Sequence, residues 1–83
     1  MKQYEPAFEA GDRVRIADRA TLESFRRKWK FHNPLQSEQL EYAGREATIA
    51  SGGIYHGGDV IYQLDEAPGI WHEDCLVRIG AEP

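Results

Sequence analysis

"VIYQLDEAPGIWHEDCLVRI", residues Val60–Ile79, carries the densest fold information in the chain. Val60, Tyr62 and Leu64 alternate with Ile61 and Gln63, the two-residue period of a half-buried strand. Pro68-Gly69 suits the central positions of a type II turn, where proline presets the first torsion and glycine takes the positive one. "IWH" then reads as a short strand, "EDC" as one tight turn and "LVRIG" as a last strand. Three short strands separated by tight turns predict an all-β end to the chain.

Working outward, "REATIAS" places Ala47 and Ile49 on one face of a strand, and Gly52-Gly53 breaks or bulges it. "IYHGGD" reads as a loop tip, with Gly57-Gly58-Asp59 as turn chemistry. Upstream, "DRVRIA" sets Val14 and Ile16 against Arg13 and Arg15, another alternating strand introduced by the Ala10-Gly11-Asp12 turn. Between the two lies "DRATLESFRRKWK". Leu22, Phe25 and Trp29 recur at helical spacing, Asp18 or Thr21 offers a cap, and Glu23 falls in the first turn. Arg26, Arg27, Lys28 and Lys30 crowd the last turns, where the helix dipole favours cations. Pro34 disfavours helix at Asn33 and is expected to fix the stop. "PLQSEQLEYAG" predicts a one-turn link anchored by Leu35, Leu40 and Tyr42, ended by Gly44 in left-handed conformation. The expected order is a strand, a long connection carrying a helix, and four short strands. Five short strands bury little as a flat sheet, so the fold expected is mainly β: a small five-stranded barrel with one helix inserted in the long first loop, closed around Val14, Ile49, Tyr62, Leu64 and Leu76.

The chain has 83 residues, room for one domain spanning 1–83, with 1–8 a lead-in and 80–83 a tail. With 41% hydrophobic and 29% charged residues it has the composition of a folded domain, not a disordered one. Cys75 is the single cysteine, which excludes an internal disulfide and points to a reducing, cytoplasmic setting. No apolar run reaches the roughly 18–20 residues needed to span a bilayer, so no membrane association is expected. Formal charge is −4, from 10 basic and 14 acidic residues; setting aside the four cations of Phe25–Leu35 leaves 6 basic against 14 acidic, or −8. Charge is thus segregated, a positive patch on an acidic body.

The quoted segments "FEAGDRVRI" (8–16), "YAGREATI" (42–49), "VIYQLD" (60–65) and "IWHEDCLVRI" (70–79) together resemble the SH3-like β-barrels of small bacterial and phage type. They are similar in order to the C-terminal barrel of the nitrile hydratase β-subunit, with its Phe-x-x-Gly-Asp-Arg-Val opening and its Trp before a closing Leu strand. The resemblance implies a barrel opened by a Gly-Asp strand and finished by a Trp strand, one tight turn and a closing strand. It puts residues 17–41 where SH3 domains carry the long first loop that lines their groove for proline-rich or extended peptides. It also implies that the loops and the Trp strand converge, so that Trp29, Phe31, Tyr55, His56 and Trp71 form a contact face; the other reading of Trp29 and Trp71 is as core, since so small a chain needs large residues to fill its interior.

Two readings of function follow. The first is a non-enzymatic, protein-binding module or accessory subunit that uses this face, monomeric or weakly self-associating. The alternative is a small nucleic-acid-binding barrel, with Arg26, Arg27, Lys28 and Lys30 (and Arg19) tracking phosphates while Trp29 or Phe31 stacks on bases. That alternative needs the aromatics to face outward, against the helical stripe, and an acidic body to tolerate a polyanion. Enzyme chemistry finds little support. His56, Asp59, His72, Glu73, Asp74 and Cys75 are of metal-ligating type, and His72 and Cys75 are three apart, but one His–Cys pair is not a site. The expectation is a buried Cys75 beside a surface His72, with no metal and no cofactor. The acidic surroundings of Cys75 raise a thiol pKa, which opposes nucleophilic catalysis. Gly52-Gly53 and Gly57-Gly58 lack the Gly-Lys-Ser/Thr of a phosphate loop.

Overall fold

The computed structural model describes residues 6–56 and 59–79. They form five antiparallel strands in one sheet, with a helix and a 3₁₀ turn in the long first connection. The strands are β1 (Arg13–Ile16), β2 (Glu46–His56), β3 (Asp59–Leu64), β4 (Trp71–His72) and β5 (Leu76–Arg78), and their order across the sheet is β4-β3-β2-β1-β5. The helix α1 spans Arg19–Lys28 and the 3₁₀ turn Ser37–Tyr42.

The strands alternate as the sequence demands. Val14 and Ile16 are buried while Arg13 and Arg15 are exposed; Val60, Tyr62 and Leu64 are buried on β3. All five residues expected inside, Val14, Ile49, Tyr62, Leu64 and Leu76, are in the core. Trp71 and Tyr62 are its largest fully buried side chains. The Tyr62 hydroxyl accepts from the Phe8 N–H and donates to Glu73 Oε1; burial pushes its pKa up to about 12. On the outer face Arg15 lies opposite Glu46 and bonds to it at 3.1 Å. Exposed pairs of this kind contribute about 0.2–1 kcal/mol.

The sheet does not close. β4 and β5 sit at its opposite edges although three residues, the 3₁₀ turn Glu73–Cys75, separate them in sequence. The reason is directional. In an odd set of alternating strands, the two edges run the same way, so a closing ladder would be parallel. A parallel pair needs a crossover of about a dozen residues. The expected closed cylinder is therefore replaced by a sheet whose edge strands are too short and wrongly directed to pair. Curling is still forced. Five strands at about 4.8 Å spacing would hold flat edges about 19 Å apart, whereas four Cα steps reach at most roughly 14 Å.

β2 does the bending. Its register with β3 slips between Ile49 and Ser51 and again between Gly52 and Ile54. At Gly52, φ is +126° and an added Cβ would lie 2.5 Å from Tyr62 Cα. The glycine pair thus bulges the strand without ending it: Ile54–His56, expected as loop, continue the ladder to the pair His56–Asp59. The expected turn at Gly57-Gly58 lies outside the described residues, as do Tyr4 and the tail 80–83; Phe8 of the lead-in is buried in the core.

Asp18 caps α1, its carboxylate accepting from Thr21 N–H at 2.8 Å; the bond holds the carboxyl pKa below its ordinary value. No acid occupies the first turn, so Glu23 lies further along and pairs with Arg19 at 3.0 Å. Leu22 is fully buried and Phe25 packs against the core. Pro34 does not stop the helix: Trp29 already leaves it, in extended conformation, five residues earlier. Leu35 and Leu40 anchor the link as expected, and Gly44 ends it at φ +79°. Gln39, which the sequence did not single out, is buried and ties the link to the 67–70 turn by donating to the Ile70 carbonyl at 3.0 Å.

Gly52→Ala is expected to cost about 2–4 kcal/mol in urea denaturation, because it adds a backbone clash to a strained torsion. Gly11→Ala, with φ +96° but open space around the new Cβ, is expected to cost only about 1 kcal/mol.

Candidate functional site

The segment that follows α1 is held by side chains bonding to backbone. Trp29 Nε1 donates to the His32 carbonyl at 2.7 Å, and Arg26 Nε donates to the Leu35 carbonyl at 3.1 Å. Asn33 takes φ +51°, a conformation asparagine tolerates better than most residues. Its carbonyl accepts from His72 Nε2 at 2.8 Å. The chain from Lys30 to Gln36 is thereby pulled alongside the helix.

Between helix and segment lies an open groove of about 690 Å³. Arg26, Arg27 and Lys30 supply its positive charge, and Trp29, Phe31, Pro34 and Leu35 its apolar surface. Phe31 stands out of it, 65% exposed. Trp29 is half-buried and its ring is occupied: Phe25 stacks on it at 5.7 Å, while Phe31, His32 and His72 lie 5.1, 5.7 and 4.9 Å away. Lys28 does not join the groove. It lines a shallow depression on another side of the helix, with Asp18 and Asp74.

His72 is the side chain that joins this region to the sheet. It was expected at the surface and is fully buried, because β4 turns its ring under Phe25 and Trp29. Both ring nitrogens face acceptors: Nε2 the Asn33 carbonyl, Nδ1 the Asp59 carboxylate at 3.0 Å. A carbonyl only accepts, so Nε2 carries a proton. A hydrogen bond at Nδ1 then needs a proton lying between the ring and the Asp59 carboxyl. Burial pushes the Asp59 carboxyl above its ordinary range, with Asp74 adding to the effect and His72 offsetting it; the Val60 N–H, bonded to Oδ1 at 2.8 Å, also offsets it.

The other expected contact residues part company. Trp71 is wholly buried and cannot meet a partner; it fills the core because β3 pairing sets it beside Tyr62. Tyr55 is exposed near the end of β2, opposite Val60. The side chain of His56 lies outside the described residues. Trp29 and Phe31 are therefore brought together, and Trp71 is removed from the face. Among the acid, His and Cys candidates, Asp59 meets His72 and Glu73 is engaged by Tyr62. No group of three or more such residues among those described is placed to hold a metal ion. Cys75 is fully buried, and burial, with Asp74 and Asp59 nearby, pushes its thiol pKa up to about 12. Burial outweighs the acidic neighbours that the sequence suggested as the cause. No helix among the described residues is long and apolar enough to cross a membrane.

Asn33 and Gln39 hold this region together through hydrogen bonds that sequence reading missed. The Asn33-Pro34 pair was visible as a helix stop, but nothing in it announces a carbonyl aimed at a histidine 39 residues away. Comparison with known protein families, curated proteins and solved structures returns no match.

Two expectations follow. Asp59→Asn should cost less than about 1 kcal/mol, since an amide can donate to the Nδ1 lone pair and still accept from the Val60 N–H. Asp59→Ala, which strands a buried ring nitrogen, should cost about 2–3 kcal/mol; equal losses in urea titrations would refute the hydrogen-bonded bridge. Cys75 should resist a thiol reagent in the native protein at neutral pH, reacting only at the rate of global opening.

Proposed function

We propose that the protein is a cytoplasmic, non-enzymatic module of SH3-like type that binds a protein partner through the groove beside α1. The observation that carries the reading is the groove itself. The long first connection, the position the resemblance assigns to peptide recognition, presents three cations and an exposed Phe31 around one concave surface. Support for the SH3-like assignment comes from a Trp strand, one tight turn and a closing strand at the end of a curled five-stranded sheet. The inaccessible Cys75 thiol speaks against nucleophilic chemistry, and the lone cysteine favours a reducing compartment.

The nucleic-acid reading draws on the same cations but needs a free aromatic face. Base stacking contributes about 1–3 kcal/mol per base when a ring is available. Trp29 is already stacked on Phe25 and flanked by three further rings. Of the two groove aromatics only Phe31 is left to stack, on a chain of net charge −4. Protein contact, which uses a protruding ring as an apolar anchor, fits better.

A photo-crosslinking amino acid at Phe31, in extracts of the native host, is expected to give a protein adduct that survives nuclease. The same label at exposed Thr21, across the helix, should not. Parallel titration with mixed-sequence single- and double-stranded DNA and RNA at low salt is expected to show no micromolar binding. Tight, salt-sensitive binding abolished by Arg27→Glu would replace this reading with the nucleic-acid one.

A further inference from the structure

Among the described residues most arginines outside the groove are engaged within the domain, while Lys28, on another side of the helix, makes no ion pair. Arg13 pairs with Glu46 and Glu66, Arg15 with Glu46, and Arg19 with Glu23. Arg45 lies over the Tyr42 ring, and Arg78 lies over Phe8 and donates to the Ala7 carbonyl. In the groove the pattern reverses. Arg26 spends only its Nε, on the Leu35 carbonyl. Arg27 and Lys30 make no ion pair among the described residues. Glu23, the one acid lining the groove, has its carboxylate engaged by Arg19. A domain with 14 acidic residues thus leaves these three cations, clustered around one concavity, without an ion pair among the described residues.

We infer that the groove takes a short, extended acidic segment of a partner protein, with one large apolar side chain packed on Phe31. This rests on the reading of the groove as the protein-binding face. Charge complementarity selects the acid: carboxylates on the segment meet the free guanidinium ends of Arg26 and Arg27 and the Lys30 ammonium. Phe31 and Pro34 select the apolar anchor, because an exposed ring beside a rigid proline buries area at little entropic cost. Size and screening select a short ligand. The groove volume is that of a site for a small ligand, within roughly 300–1,000 Å³, enough for a few residues. The domain measures 33 × 29 × 25 Å, so acids on its far side lie more than a Debye length, about 10 Å at 0.1 M salt, from the groove. A few carboxylates seated in the groove feel the three cations; a long polyanion runs on over the acidic body and is repelled.

The test is fluorescence polarisation with the full chain and a fluorescein-labelled heptapeptide of six acidic residues around a central phenylalanine. A dissociation constant on the order of 10–100 μM is expected at low salt, weakening several-fold at 0.25 M salt. Arg27→Glu with Lys30→Glu should weaken binding at least about tenfold, and Phe31→Ser about fivefold, both with unchanged thermal midpoints because these side chains are exposed. The inference is overturned by no binding at 1 mM, by equal binding of the matching lysine peptide, or by undiminished affinity in the double variant. If crosslinking at Phe31 still yields a protein adduct in any of those cases, the groove remains the contact face and only the acidic partner is wrong. Tighter binding of a thymidine oligonucleotide than of the acidic peptide overturns both.

Discussion

Three residues, Glu73–Cys75, connect strands that lie at opposite edges of a five-stranded sheet. So short a link cannot cross a flat sheet, so the sheet has to curl until its edges approach. The register shifts between Ile49 and Ser51 and between Gly52 and Ile54 are where it yields. Because five alternating strands leave both edges running the same way, the curl stops short of a closed ladder. A curled but unclosed sheet has a flank that needs cover, and the long first connection supplies it. Leu22, Leu35 and Leu40 enter the core from there, and the groove is the outer surface of that cover.

His72 is where the cover is fastened. It belongs to β4, two residues long, and to the end of the chain that carries the tight turn. Its ring lies under Phe25 and Trp29 while its two nitrogens bridge Asp59 of β3 and Asn33 of the groove segment. One buried side chain therefore links the sheet, the helix and the groove wall. A buried ring nitrogen left without a partner costs about 1–3 kcal/mol, so the bond to the Asn33 carbonyl holds position 33 while the core is intact.

What the sequence shows follows from how local each signal is. Strand faces were legible at Val14/Ile16 and Val60/Tyr62/Leu64, because a period of two is written in neighbouring residues. Asp18 as cap, Gly44 as stop and the turn around Gly69 (φ +95°) were legible for the same reason. The closure of the sheet was not, since it depends on the parity of strand directions and not on any one strand's pattern. Trp71 was read as part of the contact face with a place in the core left open, and His72 as a surface polar residue; both are core. A small interior recruits its largest side chains regardless of polarity, provided a polar one finds partners, and those partners are 13 and 39 residues away. The cation cluster was visible as charge segregation, but which cations are free was not. That depends on cross-strand pairs such as Arg15 with Glu46, which only the register reveals.

The manner in which the groove is built also bears on how it can bind. Its far wall is irregular backbone, the kind of segment that ordinarily pays ordering entropy on meeting a ligand, about 1–2 kcal/mol per residue fixed. Here Trp29 Nε1, Arg26 Nε and His72 Nε2 each donate to a carbonyl of that wall, at His32, Leu35 and Asn33 in turn. Three bonds across four residues hold the wall during folding, before any partner arrives. The cost of ordering is then offset by core formation, and little of it falls on association. A small site gains most from this arrangement, because it has few contacts from which to recover such a cost. The same bonds explain why Trp29 serves better as part of the wall than as a contact. With its Nε1–H committed to His32 and its ring stacked on Phe25, it presents a fixed surface on which Phe31, two residues on, can project toward whatever enters.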